Sequence, residues 1–215
     1  MELLIFDLDG TLIDSRIDLA NAVNAARGHM GLSPLADEVV ASYVGNGAPV
    51  LVRRAMGPDA SEPDIQAALA FFLEYYADHA LQYTTLYPGV REALQRLHDA
   101  GKQLAVLTNK PLVMTRTILD GLGIGSHFFR LYGGDSFPHH KPHPIGIESL
   151  MREAAVERGA TMMVGDSSVD IQTARNAGVA ACGVTYGFRP ESLASAAPDV
   201  LVDNLEQLAD RLLTP

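Results

Sequence analysis

The stretch Leu3-Leu4-Ile5-Phe6-Asp7-Leu8-Asp9-Gly10-Thr11 decides how this chain folds. Leu3-Leu4-Ile5 is a short apolar run with no helical period, and a glycine closes the stretch, so it reads as a buried strand of a parallel sheet. Residues two apart on a strand point the same way, so Asp7 and Asp9 leave the strand end on one face. Two carboxylates held together repel, and such a pair is expected to hold a proton or a cation. Taken alone, the acids could instead belong to an ordinary turn, for which Asp-Gly is a common signal. The rest of the chain decides between these readings.

Downstream of Thr11, helical periodicity runs from Ile17 to about Met30, with Leu19, Ala22, Val23 and Ala26 as its apolar stripe, until Gly31 and Ser33-Pro34 break it. Further helices are expected from about Ala36 to Tyr43, over Val50 to Met56, and from Glu62 to about Ala80. Residues 16–84 therefore read as an all-helical insert, and 1–15 with 85–215 as the domain it interrupts. Past Tyr87-Pro88-Gly89 the texture changes. Helices are expected at 90–100, 112–122, 145–158, 169–177 and 205–213, and strands at 103–108, 129–132, 161–164, 180–184 and 199–202. That alternation predicts an α/β fold, a doubly wound parallel sheet, which binds ligands beyond the carboxyl ends of its strands where strand order reverses.

Under that rule the residues that follow the strands should converge. They are Asp7 and Asp9, then Thr108 and Asn109, then Lys141 ahead of the next long strand, then Asp166 and Asp170 after it. Hard carboxylate oxygens with no His or Cys among them suit Mg²⁺, which keeps several waters and favours phosphate oxygens. Lys141 would supply a point charge to a phosphate and hold down the pKa of nearby acids.

Asp7-x-Asp9-Gly10-Thr11, Thr108-Asn109, Lys141-Pro142 and Gly165-Asp166-x-x-x-Asp170 resemble, in order and spacing, the four signatures of the haloacid dehalogenase-like hydrolases. The resemblance spans nearly the whole chain and likens the helical insert to that family's cap. It implies that Asp7 is a nucleophile forming an aspartyl-phosphate. It makes Asp9 the group that protonates the leaving oxygen and then activates water, with its backbone carbonyl on the metal. Asp166 becomes the other carboxylate ligand to Mg²⁺, and Asp170 holds a water on the metal or orients Lys141. Thr108 and the Asn109 backbone bind the phosphoryl group. Family members that displace halide lack a carboxylate at the place of Asp9, so its presence favours phosphate chemistry. Phosphate monoesters demand up to about 10²¹-fold acceleration, and positioned proton transfer supplies only about 10²–10⁴ of it, so covalent catalysis and charge clamping carry most of the burden.

The insert contains no lysine, which argues against relatives that use a cap lysine, the phosphonate-cleaving enzymes and, more weakly, the sugar-phosphate mutases. Its loop Tyr43-Val44-Gly45-Asn46-Gly47-Ala48-Pro49 and the following Arg53-Arg54 are similar to phosphoglycolate phosphatases. The resemblance thus implies a Mg²⁺-dependent phosphatase of a small phosphorylated metabolite, 2-phosphoglycolate first, with a hexose or amino-sugar phosphate as the alternative and, third, a phosphomutase that returns the phosphoryl group to its product. Asn46, Arg53 and Arg54 are candidates to meet the substrate, since a guanidinium suits a carboxylate; both arginines could equally be solvated helix residues. His139, His140 and His143 crowd around Lys141, but without a carboxylate or thiolate pattern they read as lining of its loop and not as a zinc site.

Composition bounds the rest. A hydrophobic content of 47% sustains a packed core, and a formal net charge of -10 disfavours nucleic acid as a partner. Cys182 is the only cysteine, so no disulfide framework is expected. The apolar run behind Met1-Glu2 is too short for a signal peptide or a membrane span, and a cytoplasmic, soluble protein is expected, as monomer or homodimer.

Overall fold

The computed structural model describes Met1–Thr214. The chain divides into two units, Met1–Asp14 with the chain from Leu86 onward, and Ser15–Thr85.

In chain order the first unit opens with β1 (Leu3–Phe6) and β2 (Ile13–Asp14). The second unit holds α1 (Arg16–His29), α2 (Asp37–Tyr43), α3 (Ala48–Met56) and α4 (Glu62–His79). A short β3 (Thr85–Leu86) follows and pairs with β2 in a two-stranded sheet. Then come α5 (Val90–Asp99), β4 (Gln103–Leu107), α6 (Leu112–Gly121), β5 (Arg130–Tyr132) and α7 (Ile145–Ala154). The chain closes with β6 (Thr161–Gly165), α8 (Ser168–Ala177), β7 (Ala180–Val184), α9 (Leu193–Ala196), β8 (Val200–Val202) and α10 (Leu205–Leu213).

The main sheet has the order β5-β4-β1-β6-β7-β8, with every pair parallel. From β1 the chain winds outward through β4 and β5, crosses back to β6, and winds the other way through β7 and β8. Strand order therefore reverses beside β1, where a doubly wound sheet opens its crevice. Register is fixed on both sides of β1: Ile5 lies opposite Ala105 of β4 and Met163 of β6.

All four residues of β1 are fully buried, because helices cover both faces of the sheet. Leu3 and Ile5 pack in one cluster with Ala105, Ile147, Leu150, Met163 and Ile171. Phe6 points to the other face and meets Phe128 edge-on, with ring centroids 6.4 Å apart. Burying each such side chain is worth about 1.5–3 kcal/mol, so β1 is anchored before its tip does any chemistry.

The second unit is held by its own interior. Leu19 and Val23 of α1 and Ile65, Phe72 and Tyr76 of α4 are buried. Ser61 caps α4 by accepting from the Asp64 backbone N–H at 3.3 Å. The Asp18 carboxylate accepts from Tyr83 N (3.0 Å), Thr84 N (2.8 Å) and Thr84 Oγ1 (2.7 Å), tying the first turn of α1 to the segment that leaves the unit. Among the described residues, no helix is long and apolar enough to cross a membrane.

Several elements differ from expectation, among them the two-residue strands β2 and β3, which no sequence pattern announced. The helix expected over 145–158 stops at Ala154, because Ala155 adopts a left-handed φ of 55° and turns Val156 into the core. A further short helix, α9, occupies Leu193–Ala196, too brief to leave a periodic trace in sequence.

Candidate active site

Asp7 is the first residue past β1, and its N–H still donates to Val164 O at 2.9 Å, so the sheet ladder itself fixes where its side chain starts. Asp166 is the first residue past β6. Asp170 sits in the first turn of α8 as part of a capping box: its Oδ2 accepts from Ser167 N (3.1 Å) and Ser167 Oγ (2.7 Å). Asp7, Asp166 and Asp170 are all buried and offer carboxylate oxygens within 4.8 Å of one another.

The ammonium of Lys141 stands among them, with Nζ 2.6 Å from Asp170 Oδ1 and 2.8 Å from Asp7 Oδ1. The loop that presents it is bound to the tip of β4 by a reciprocal amide pair. Lys141 N donates to Asn109 Oδ1 (2.9 Å) and Asn109 Nδ2 donates to Lys141 O (3.1 Å). Thr108, beside it, is buried, and its N–H extends the sheet ladder to Tyr132 O at 3.0 Å.

Asp166 is held from the other flank. Its Oδ2 accepts the backbone N–H of Phe188 at 2.7 Å and, at a longer 3.4 Å, that of Arg189, both in the loop after β7. Two glycines make room for it. Gly10 has a φ of +84°, a left-handed conformation that turns the chain back after Asp9, and a Cβ there would collide with the Asp166 carboxylate. A Cβ on Gly187 would strike the Asp166 side chain from the opposite side.

Asp9 faces a different cation. Lys110 Nζ donates to both of its carboxylate oxygens at 3.0 Å, and the Lys110 side chain is almost wholly buried. Sequence reasoning gave Lys110 no role in the site. The signal that could have found it is its place immediately after Thr108-Asn109 at a strand tip.

Electrostatics follow from burial. Desolvation pushes the Asp166 carboxyl up to about 8 and that of Asp7 up to about 6, with neighbouring Asp170 adding to both and Lys141 opposing. For Lys141, burial works against the charged form, but the Asp170 and Asp7 carboxylates outweigh it and hold the ammonium above its ordinary value. Four carboxylates against two ammonium groups leave two formal negative charges in the site, the charge that one divalent cation would neutralise. The Asp7 Oδ1 contact with Lys141 lacks hydrogen-bond alignment, so this buried oxygen is left with no directional partner. An all-oxygen donor set with one such oxygen fits a hard cation.

The sequence candidates Asn46, Arg53 and Arg54 belong to the helical unit. Asn46 stands in the turn between α2 and α3, between Gly45 and Gly47, both with positive φ. Arg53 is exposed, its Nη2 2.8 and 2.7 Å from the two carboxylate oxygens of Glu62. Arg54 is exposed too, donating to Tyr43 O at 3.3 Å. Both border a hollow of about 610 Å³ on that unit. His139, His140 and His143 are exposed on the Lys141 loop, and His139 stacks on His143 with centroids 4.7 Å apart.

Residues 4–184 match the model of the family described as haloacid dehalogenase-like hydrolase. The chain belongs to this family. A phosphoglycolate phosphatase of Vibrio parahaemolyticus is 41% identical over 98% of this chain and 95% of its own length. Phosphoglycolate phosphatase 1 of Pseudomonas aeruginosa is 41% identical over 96% of this chain and 78% of its own. A predicted phosphoglycolate phosphatase of Haemophilus somnus, known from a crystal structure, superposes with a TM-score of 0.91 at 35% identity, covering 99% of this chain and 96% of that one. The six-stranded parallel sheet, its flanking helices and the α/β class are those of this haloacid dehalogenase-like hydrolase family.

Proposed function

We propose that this hydrolase is a Mg²⁺-dependent phosphatase that takes the phosphoryl group of 2-phosphoglycolate onto Asp7 and then releases it to water. That it acts on phosphoric monoesters rests on the family and on the named activity of its relatives. The observation that carries the rest is the Asp7 carboxylate at the tip of the central strand, with Lys141 at 2.8 Å and an oxygen that no hydrogen bond constrains.

In this reading an Asp7 oxygen attacks phosphorus as the ester P–O bond breaks, and protonated Asp9 gives its proton to the departing alkoxide. Asp9 then takes a proton from the water that attacks the aspartyl-phosphate, which regenerates Asp7 and frees inorganic phosphate. Lys141 stands against the phosphoryl oxygens, and the Thr108 hydroxyl with the Asn109 backbone N–H completes the cradle. Asp170 keeps Lys141 in place from a carboxylate that α8 itself immobilises. Asp7, Asp166 and the Asp9 backbone carbonyl would hold Mg²⁺, which supplies the positive charge that lets a dianionic phosphate approach this acidic pocket.

A panel of phosphate esters tests the reading. Phosphate release from 2-phosphoglycolate should exceed that from hexose and amino-sugar phosphates by at least about tenfold in kcat/KM, and chelation should abolish it. A preferred sugar phosphate would move the assignment to that alternative, and isomer formation without phosphate release would make the protein a mutase.

The raised carboxyls also set a pH response. A carboxyl whose folded-state value lies above its unfolded one binds protons more tightly in the folded protein, so it contributes stability at low pH that is lost as pH rises. With Asp166 up to about 8 and Asp7 up to about 6, metal-free protein should lose thermal stability steadily between about pH 4 and pH 8. Millimolar Mg²⁺ should restore the melting temperature most at the alkaline end. Calorimetry at pH 5 and pH 8, with and without the ion, reads this directly; equal Mg²⁺ effects at both would contradict the site.

A further inference from the structure

We propose that Lys110 recognises an anionic group attached to the carbon that bears the leaving oxygen, and so selects phosphorylated 2-hydroxy acids over neutral phosphate esters; this rests on the proposed role of Asp9. Lys110 enters the site from the turn after β4, where its N–H donates to Thr108 Oγ1 at 3.3 Å. Its ammonium reaches both Asp9 oxygens at 3.0 Å, and its side chain keeps 4% of its exposure. It is thus the second buried cation of the site, distinct from Lys141, which serves Asp7 and Asp170.

Substrate chemistry then fixes what Lys110 meets. Asp9 must touch the leaving oxygen to protonate it. In 2-phosphoglycolate the carboxylate carbon is bonded to the carbon carrying that oxygen, so the substrate carboxylate arrives beside whatever cation already lies against Asp9. With its proton in place for the leaving oxygen, Asp9 is neutral, and Lys110 is the cation that the arriving substrate carboxylate meets in a buried, acidic site. Its ammonium bridges Asp9 and the substrate carboxylate, having donors for both. A neutral ester offers nothing to the second half of that bridge. No covalent bond is made or broken in this step.

The test compares 2-phosphoglycolate with its carboxamide, carbamoylmethyl phosphate, which keeps size and leaving oxygen but carries no carboxylate charge. Wild-type protein should favour the acid by about 100-fold in kcat/KM, and Lys110→Met should bring that ratio to within about threefold of unity. Lys110→Arg keeps the charge and should recover a preference of at least tenfold, which also covers the case in which the methionine variant folds poorly. Equal losses on both substrates, with the ratio unchanged in Lys110→Met, would restrict Lys110 to holding Asp9 and overturn the proposal. A wild-type ratio near one would overturn it as well while leaving the phosphatase reading intact. Failure of wild-type protein to release phosphate from either compound would sink that reading and the inference together.

Discussion

Asp7→Asn is expected to reduce phosphate release at least about 10⁴-fold while the protein still folds and melts within a few degrees of the parent. The amide has nearly the volume of the carboxylate, so packing at the tip of β1 is preserved. It has no anionic oxygen to attack phosphorus, and the remaining groups can offer only positioning and proton transfer, which is worth about 10²–10⁴. Stability should barely suffer, because burial pushes the Asp7 carboxyl up to about 6 even beside Lys141, so its ionised form is held at a cost. The lost attraction to Lys141 is offset by relief of repulsion from Asp170, which stays bound to the same ammonium at 2.6 Å. A phosphate-release assay beside a thermal melt separates the two effects. Turnover within tenfold of the parent would remove Asp7 from the role of nucleophile.

Much of this was legible because a doubly wound sheet converts sequence position into spatial convergence. Once Leu3–Phe6, Gln103–Leu107 and Thr161–Gly165 are strands, Asp7, Thr108 and Asp166 are forced to one rim, since parallel neighbours all point their carboxyl ends the same way. What escaped had no side-chain signature. The backbone N–H groups of Phe188 and Arg189 steady Asp166, yet any residues could supply them. The end of α7 escaped because its left-handed residue is Ala155, where a glycine would have announced the stop. Lys110 escaped for a third reason: a lysine just past a strand is ordinarily solvated, and only the folded turn shows its side chain buried against Asp9. Local pattern thus located the groups that strands carry outright, and missed those whose direction a loop decides.

Lys141→Met should be the more damaging change to the fold. Methionine matches the length of the lysine stem, so no large cavity opens. It removes the one ammonium that both Asp7 and Asp170 contact, and leaves two carboxylates buried together, with Asp166 close by. Breaking a buried ion pair from one side costs about 3–5 kcal/mol, because the surviving charge is desolvated and uncompensated. For a chain of this length that corresponds to roughly 10 °C of melting temperature. Asp170 cannot swing away to find water, since its other oxygen is pinned by Ser167 at the start of α8. The deficit should therefore depend on pH with a definite sign: burial raises the Asp7 and Asp166 carboxyls, so acidification neutralises these two, and the variant should approach the parent near pH 5 and fall furthest behind near pH 8. Activity should be lost at every pH, because a proton on Asp7 relieves the fold without replacing the cation that holds the phosphoryl group. A deficit of the same size at pH 5 and pH 8 would mean that Lys141 stabilises by packing its stem and not by its charge.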